Sequence, residues 1–317
     1  MALGRSPGPA ALVVTATAAR RYYLEGASKS DIADELGVSR FKVARLLEQA
    51  RDTGLVRIEL DYRGSLDLDL SVRLRTAYGL RHCVVVDSPE QDDSLLRTNL
   101  GTAGARLLTE IVEADDVLGL AWARALIAVR RSLTRLSACA VVQLTGALPS
   151  PAFDESSIDL VRDVARTSTG HALFFYVPMI VPDAATARAL RTQPDVLRAM
   201  SKFPELTKAV VGLGAWQPGL STVADAVGEV ERRELYDLGV RAELCGIQLD
   251  AEGTPIETPL TERVIAIEAQ QLRAVPEVIA VAYGSAKAPA VRAAIHGGFV
   301  KSLVTHTGLA RQLLEDV

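Results

Sequence analysis

Seven residues within one short stretch, Ser28, Lys29, Ser39, Arg40, Phe41, Lys42 and Arg45, bring hydroxyl, cationic and aromatic groups together at a spacing suited to nucleic acid. A guanidinium pairs bidentately with the O6 and N7 edge of guanine, and Arg40 and Arg45 are the candidates for that role. Lysine and serine hold phosphate without reading sequence, which suits Lys42 and Ser39. Far along the chain, Gly284-Ser285-Ala286-Lys287 sets small residues and a lysine at a predicted helix start. Backbone N–H groups and the helix dipole favour an anion there. A plain strand-to-helix turn with a solvated lysine would read the same way. Other chemistry is sparse. The histidines (His82, His171, His296, His306) and cysteines (Cys83, Cys139, Cys245) are scattered, without CxxC or CxxH spacing, so neither a metal site nor a disulfide framework is expected. No dinucleotide GxGxxG, Walker A or GxSxG sequence occurs, and no catalytic residue and no cofactor is assigned. Trp122 and Trp216, each beside a glycine-bearing loop, suit ligand stacking and core filling equally.

The elements that must position the first group are short helices. Arg20 to Glu25 ends a helix at Gly26, a common residue past a helix end because it tolerates positive φ. Ser28 then caps a helix over Lys29 to Leu36 with Ile32, Ala33 and Leu36 on one face. Gly37 breaks it, Val38 supplies an apolar plug, and Ser39 caps a helix from Arg40 to about Thr53. Val43, Leu46, Leu47 and Ala50 form its buried stripe. Two capped helices joined through a glycine turn make a helix-turn-helix, whose second helix enters the major groove N-terminus first. An ordinary helical hairpin with a solvated charged face is the plainer alternative. Alternation over Leu55–Leu60 predicts a strand, a wing behind that helix. Met1 to Ala11 is small and Pro/Gly-rich and reads as a flexible tail.

The rest reads as alternating strands and helices. A helix over 65–80 precedes strands at His82–Asp87, Val117–Ala121, Ala140–Thr145, Ala172–Val177, Ala209–Gly214, Leu244–Leu249, Val278–Tyr283 and Ser302–Thr305. Continuous apolar runs such as Val278-Ile279-Ala280-Val281 fit strands buried on both faces of a parallel sheet. The fold class is therefore α/β: a (winged) helix-turn-helix over 1–63, followed by a Rossmann-like doubly wound domain over 64–317. In such a sheet ligands bind past the carboxyl ends of the strands. The loops there are Gly119–Ala125, Thr145–Pro149, Gly212–Pro218, Ala242–Gly246 and Tyr283–Lys287.

Bulk properties agree with two folded domains. The chain has 317 residues, 49% of them hydrophobic and 23% charged, which excludes a disordered composition. The net charge is −4, but residues 1–63 carry ten Lys/Arg against eight Asp/Glu, so the basic balance sits where the DNA contacts are expected. No apolar run approaches the ~20 residues of a membrane span, and no signal peptide is recognised, so a cytoplasmic protein is expected.

The order of these pieces resembles the SorC family of sugar-binding transcriptional regulators over nearly the whole chain, from about Ala18 to Leu314. The resemblance is carried by Tyr22 to Gly26, Asp31-Ile32-Ala33 and Leu36 to Arg40 in the head. In the body it is carried by Gly119 to Arg124, Gln143 to Gly146, Val211 to Gly214, Asp250 with Gly253, and Lys287. It implies a body related to sugar-phosphate isomerases and deaminases that serves as an effector sensor in a dimer or tetramer. Carried over by position, it implies effector contacts at Gly119, Ala121, Trp122, Arg124, Gly146, Gly214, Glu243 and Lys287. Lys287 and Arg124 would neutralise a phosphate or carboxylate, and Glu243 would accept sugar hydroxyls. There are departures. The family's first loop usually reads Gly-x-Ser-Trp-Gly-Arg-Thr, whereas Ala121, Ala123 and Ala125 stand at its hydroxyl and glycine positions. His306 stands where aspartate is usual, and Tyr283 where glycine is usual. These changes leave open a sugar phosphate, an unphosphorylated ligand or a different polyol. The expected function is a DNA-binding transcriptional regulator controlled by such an effector. A constitutive DNA-binding protein whose body only oligomerises is one alternative. An isomerase-like enzyme using Glu243 or His306 as base is the other.

Overall fold

The computed structural model describes residues 8–56, 66–90, 92–148 and 157–315. The chain divides into two compact units, Met1–Arg63 and Gly64–Val317. Its helices are α1 (Pro9–Tyr23), α2 (Lys29–Leu36), α3 (Arg40–Asp52), α4 (Leu68–Tyr78), α5 (Asp93–Ile111), α6 (Arg124–Ser132), α7 (Ser157–Ser168), α8 (Ala184–Arg191), α9 (Pro194–Met200), α10 (Thr222–Ala226), α11 (Glu229–Asp237), α12 (Ala269–Ala274), α13 (Ala288–His296) and α14 (Thr307–Leu314). Its strands are β1 (His82–Val86), β2 (Val117–Leu120), β3 (Ala140–Gln143), β4 (Ala172–Leu173), β5 (Lys208–Gly212), β6 (Gly214–Ala215), β7 (Ala242–Leu244), β8 (Ile247–Leu249), β9 (Glu277–Val281) and β10 (Ser302–His306).

In the first unit, α1, α2 and α3 close a small core around Ala18, Ile32, Val43, Leu46 and Ala50. Local chemistry sets the boundaries. Ser28 and Asp31 form a reciprocal capping box on α2, which satisfies two N–H groups that a helix start leaves orphaned. Gly37 ends α2 in the left-handed region at φ 63, and the Val38 N–H returns to the Ala33 carbonyl at 2.9 Å. The Ser39 hydroxyl accepts from the Lys42 N–H at 3.2 Å and so starts α3. Two expectations need correction. Pro9, Ala10 and Ala11 are not tail but the first turn of α1, where proline's missing N–H costs nothing and alanine is the best helix former. Leu55 and Val56 make a bend that closes α3, with the Val56 N–H on the Ala50 carbonyl, rather than opening a strand. The remainder of the expected wing, residues 57–60, lies outside the described residues.

The second unit is built on a seven-stranded parallel sheet in the order β1-β10-β9-β5-β2-β3-β4. Successive strand residues enter opposite apolar layers, as a period of two requires. Val85, Val142, Val211, Ala280 and Leu303 join α4, α9, α13 and α14 on one face. Val86, Val141, Val210, Ile279 and Val304 join α5, α6 and α7 on the other. After β2 the chain runs toward β3, and after β5 it runs toward β9. The sheet order therefore reverses between β2 and β5, which opens a crevice at their carboxyl ends.

Three strand readings are corrected. Ala209–Gly214 is not one strand, since β5 ends at Gly212 and Gly214 opens β6 in a separate sheet. The segment Ala172–Val177 pairs only over Ala172–Leu173, because the Phe175 N–H turns to the Gln143 side chain at 3.1 Å. Leu244–Leu249 is not one strand but a hairpin in a separate antiparallel sheet, β6-β7-β8. Cys245 and Gly246 both take positive φ, 54° and 81°, the pattern of a two-residue type I′ turn. Ala215, Ala242, Leu244 and Leu249 of this small sheet join the first apolar layer, while α10 and α11 close a third core around Trp216, Val223 and Leu235.

Candidate functional site

The first candidate surface is the outer face of α3. Its buried residues, Val43, Leu46, Leu47 and Ala50, leave Arg40, Phe41, Lys42 and Arg45 exposed on the other side. Among the described residues none of those three cations makes an ion pair. The arginines of α1 differ: Arg20 meets Glu25 at 3.1 Å, and Arg21 meets Glu35 at 2.9 Å and also pairs with Glu25. Ser28 and Ser39 serve as helix caps, while the Lys29 ammonium stands 5.7 Å from the Tyr22 ring centre. Positive charge is thus spent internally on α1 and left available on α3.

The second site is a narrow cleft at the crevice between β2 and β5, with a cavity volume of about 50 Å³. Its wall takes in Ala121 to Ala125 after β2, Thr145 and Leu148 after β3, and Gly212 to Gly214 after β5. Glu243 and Cys245 on the hairpin, with Tyr283 and Lys287 after β9, complete it. The structure therefore brings Ala121, Trp122, Arg124, Gly214, Glu243 and Lys287 together. It does not bring Gly119 or Gly146. A side chain at Gly119 would meet Leu144 at 2.7 Å, and one at Gly146 would meet the backbone of Pro178 and Met179 at 2.6 Å. Both are glycine because neighbouring segments pack against them. Trp122 lines the cleft, whereas Trp216 is a core residue whose indole N–H donates to the Arg232 carbonyl at 3.0 Å.

Glu243 is buried, and its Oε1 accepts from the Ser221 hydroxyl at 2.7 Å. Gly214 pairs with Glu243 across β6 and β7, and a Cβ there would lie 2.5 Å from the Ser221 Cβ and 2.6 Å from Glu243 Oε1. Burial pushes the Glu243 carboxyl up, against the opposing pull of Ser221, Gly246 and Lys287. Ser221 was not foreseen. It caps α10, and the only sequence signal for it is a serine two residues after Gly219, ahead of a short apolar turn.

Lys287 is half-buried, with its Nζ donating to the Leu213 carbonyl at 3.2 Å and standing 5.3 Å from the Tyr283 ring centre. Burial, followed by repulsion from Arg124, lowers its pKa to about 8, partly offset by Glu243. Arg124 is the first residue of α6 and reaches the Gly219 carbonyl at 3.3 Å. Two cations that disfavour one another thus share a wall with a buried carboxylate–hydroxyl pair. An incoming anion would relieve the repulsion, and Glu243 can accept from hydroxyls.

The turn before Lys287 matches neither sequence reading. The lysine is half-buried rather than freely solvated, and the anion in the turn is the protein's own: Glu90 accepts from the Ser285 N–H at 2.7 Å and from its hydroxyl at 2.5 Å. Burial opposes ionisation of Glu90, yet these two bonds hold its carboxyl below the usual range. His306 does not line the cleft. Its ring nitrogens lie 3.2 Å from the Gly284 and Gly308 N–H groups, and burial lowers its pKa. A neutral imidazole accepts at only one nitrogen, so His306 receives one of these bonds and holds a turn. The three cysteines are free, and burial pushes the Cys83 thiol up to about 12 and raises that of Cys245.

A family model described as "Putative sugar-binding domain" matches residues 62–315. The chain is also 32% identical over 302 residues, 92% of each chain, to the uncharacterized transcriptional regulator YjhU of Escherichia coli K12. It is 25% identical over 306 residues to the sorbitol operon regulator of Klebsiella pneumoniae, covering 94% of this chain and 96% of that one. The chain belongs to the SorC family of transcriptional regulators. For this SorC-family chain the likeness extends to three dimensions. The full-length crystal structure of SorC from Klebsiella pneumoniae superposes with a TM-score of 0.73 at 25% identity, covering 97% of this chain and all of that one. Among the described residues, no helix of this SorC-family member is long and apolar enough to cross a membrane.

Proposed function

We propose that this chain is a DNA-binding transcriptional regulator whose operator affinity is set by a sugar, sugar phosphate or related polyol held in the cleft. One observation carries the reading: a single chain holds both a helix face of exposed cations and a cleft that sets Glu243 and Ser221 beside Arg124 and Lys287. In this reading residues 1–63 grip operator DNA. Residues 64–317 bind the effector and self-associate, and the protein works in the cytoplasm. Lys287 and Arg124 take the anionic or most polar end of the ligand, Glu243 takes its hydroxyls, and Trp122 covers it. Effector and DNA prefer different arrangements of the assembly, and the coupling is reciprocal, typically ~1–3 kcal/mol.

The reading assigns no catalytic step. Among the described residues, Glu243 is the one cleft carboxylate that could serve as base, and its oxygens are engaged by Ser221 and Gly246. The test is binding of the full chain to its own promoter-region duplex, titrated with sugars and sugar phosphates while the same mixtures are assayed for turnover. Specific binding altered by one compound without its conversion is the expected result. Specific binding that no compound alters would favour a body that only oligomerises. Conversion of a sugar phosphate would establish the enzyme reading.

A further inference from the structure

The outer face of α3 has an order that its composition alone does not reveal. At ~100° per residue, Phe41, Arg45, Glu48 and Asp52 form one ridge directly opposite the buried stripe, and all four are exposed. Arg40 and Lys42 flank that ridge, one on either side of Phe41. Phe41 stands out chemically: Phe175, Phe203 and Phe299 are buried and Phe174 is half-buried, but Phe41 is 84% exposed. Among the described residues of its unit, no packing explains an aromatic ring on the crown of a capped, cation-flanked helix start.

Resting on the DNA-binding reading above, we propose that Phe41 reads the C5-methyl group of a thymine in each operator half-site, beside a guanine read by Arg45, while Arg40 and Lys42 hold the two phosphate walls. That methyl group is the bulkiest apolar feature the base pairs present in the major groove, so it is the partner an inserted ring favours. Phe41 and Arg45 are four residues apart, a rise of ~6 Å along α3, which places their targets within about two base steps. Glu48 and Asp52, further along the ridge, repel phosphate and confine reading to the first two turns. Arg40 thereby moves from the guanine-reading role suggested by its residue type to a positioning one.

The experiment uses the full-length chain. A preferred duplex is first selected from a random library, and each thymine is then replaced singly by deoxyuridine, which removes only the methyl group. One position per half-site should lose about fourfold in affinity, the effect of withdrawing one methyl-sized group from apolar contact. The F41A variant should bind the selected duplex more weakly and show no further loss on that replacement. Circular dichroism should find its fold intact, because the ring touches no core residue. R45A should keep the methyl sensitivity and lose discrimination at the neighbouring guanine. Uniform indifference to methyl removal, or a methyl effect that survives in F41A, would overturn the assignment of Phe41 while leaving DNA binding in place. If no duplex is enriched at all, the DNA-binding reading itself fails, and this proposal with it.

Discussion

The start of α3 and the cleft both rely on arginine and lysine, yet they treat positive charge in opposite ways. On α3 the cations are exposed and, among the described residues, form no ion pair, so they keep their hydration until a phosphate arrives. In the cleft, Lys287 is partly desolvated, repelled by Arg124 and tied to a backbone carbonyl. The first arrangement is inexpensive, tolerant of partners and sensitive to salt. The second gives up stability for selectivity, because a ligand that does not satisfy every buried group leaves one of them unpaired. Both devices can coexist because they lie in separate compact units.

The sharpest way to break this contrast is to fill the cleft. Gly214→Val should abolish effector binding, lowering affinity by more than about a hundredfold, since even a Cβ at this site meets Ser221 and Glu243 within 2.6 Å. Calorimetry with the effector would check this, and operator affinity without effector should be unchanged. The converse variant, Arg45→Ala, should weaken the operator complex by about 10- to 100-fold, the worth of one bidentate base contact. It should leave effector affinity untouched, and a parallel loss of effector binding would show that the two sites are not separable.

Protonation sharpens the comparison further. Because the Lys287 pKa is lowered to about 8 from 10.5, its ammonium is lost as pH rises through 8. Affinity for an anionic effector should fall by up to about tenfold per pH unit above 8, and Lys287→Arg should move that fall to higher pH. The unfolded chain binds more protons between 8 and 10.5 than the folded one, so this group should raise the stability of the unliganded body across that window. Operator affinity without effector should stay flat from pH 7 to 9. The smallest effect is expected at Ser39→Ala, which removes the cap of α3 and should lower stability by about 1 kcal/mol in urea unfolding, confined to the first unit.

The helix-turn-helix was legible because its caps, glycine turn and stripe are local. The parallel strands were legible because a strand covered on both faces carries a continuous apolar run, as in Ala209 to Val211 of β5 and Val278 to Val281 of β9. The hairpin was not: Leu244-Cys245-Gly246-Ile247 reads as one apolar run, and cysteine is an unusual residue at the first positive-φ position of a tight turn. The cleft was partly legible. Loops past strand ends pointed to Arg124, Gly214 and Lys287, but Ser221 follows no strand of the main sheet. Gly119 and Gly146 lie outside the cleft wall and are packed by Leu144 and by the Pro178–Met179 backbone, which sequence could not show: it reveals where a side chain is missing but not whether a ligand or a neighbour needs the space.

Ala123 and Gly212 show how far such an unseen constraint reaches. A Cβ on Gly212 would fall 2.3 Å from the methyl group of Ala123, so the two positions share room for one methyl group. Their substitutions are therefore order-dependent. Ala123→Gly is sterically open from the present sequence, whereas Gly212→Ala becomes accessible only after it. Moving the methyl group from one position to the other, in either direction, passes through the double-glycine pair, so the cleft can be reshaped here only by first being emptied.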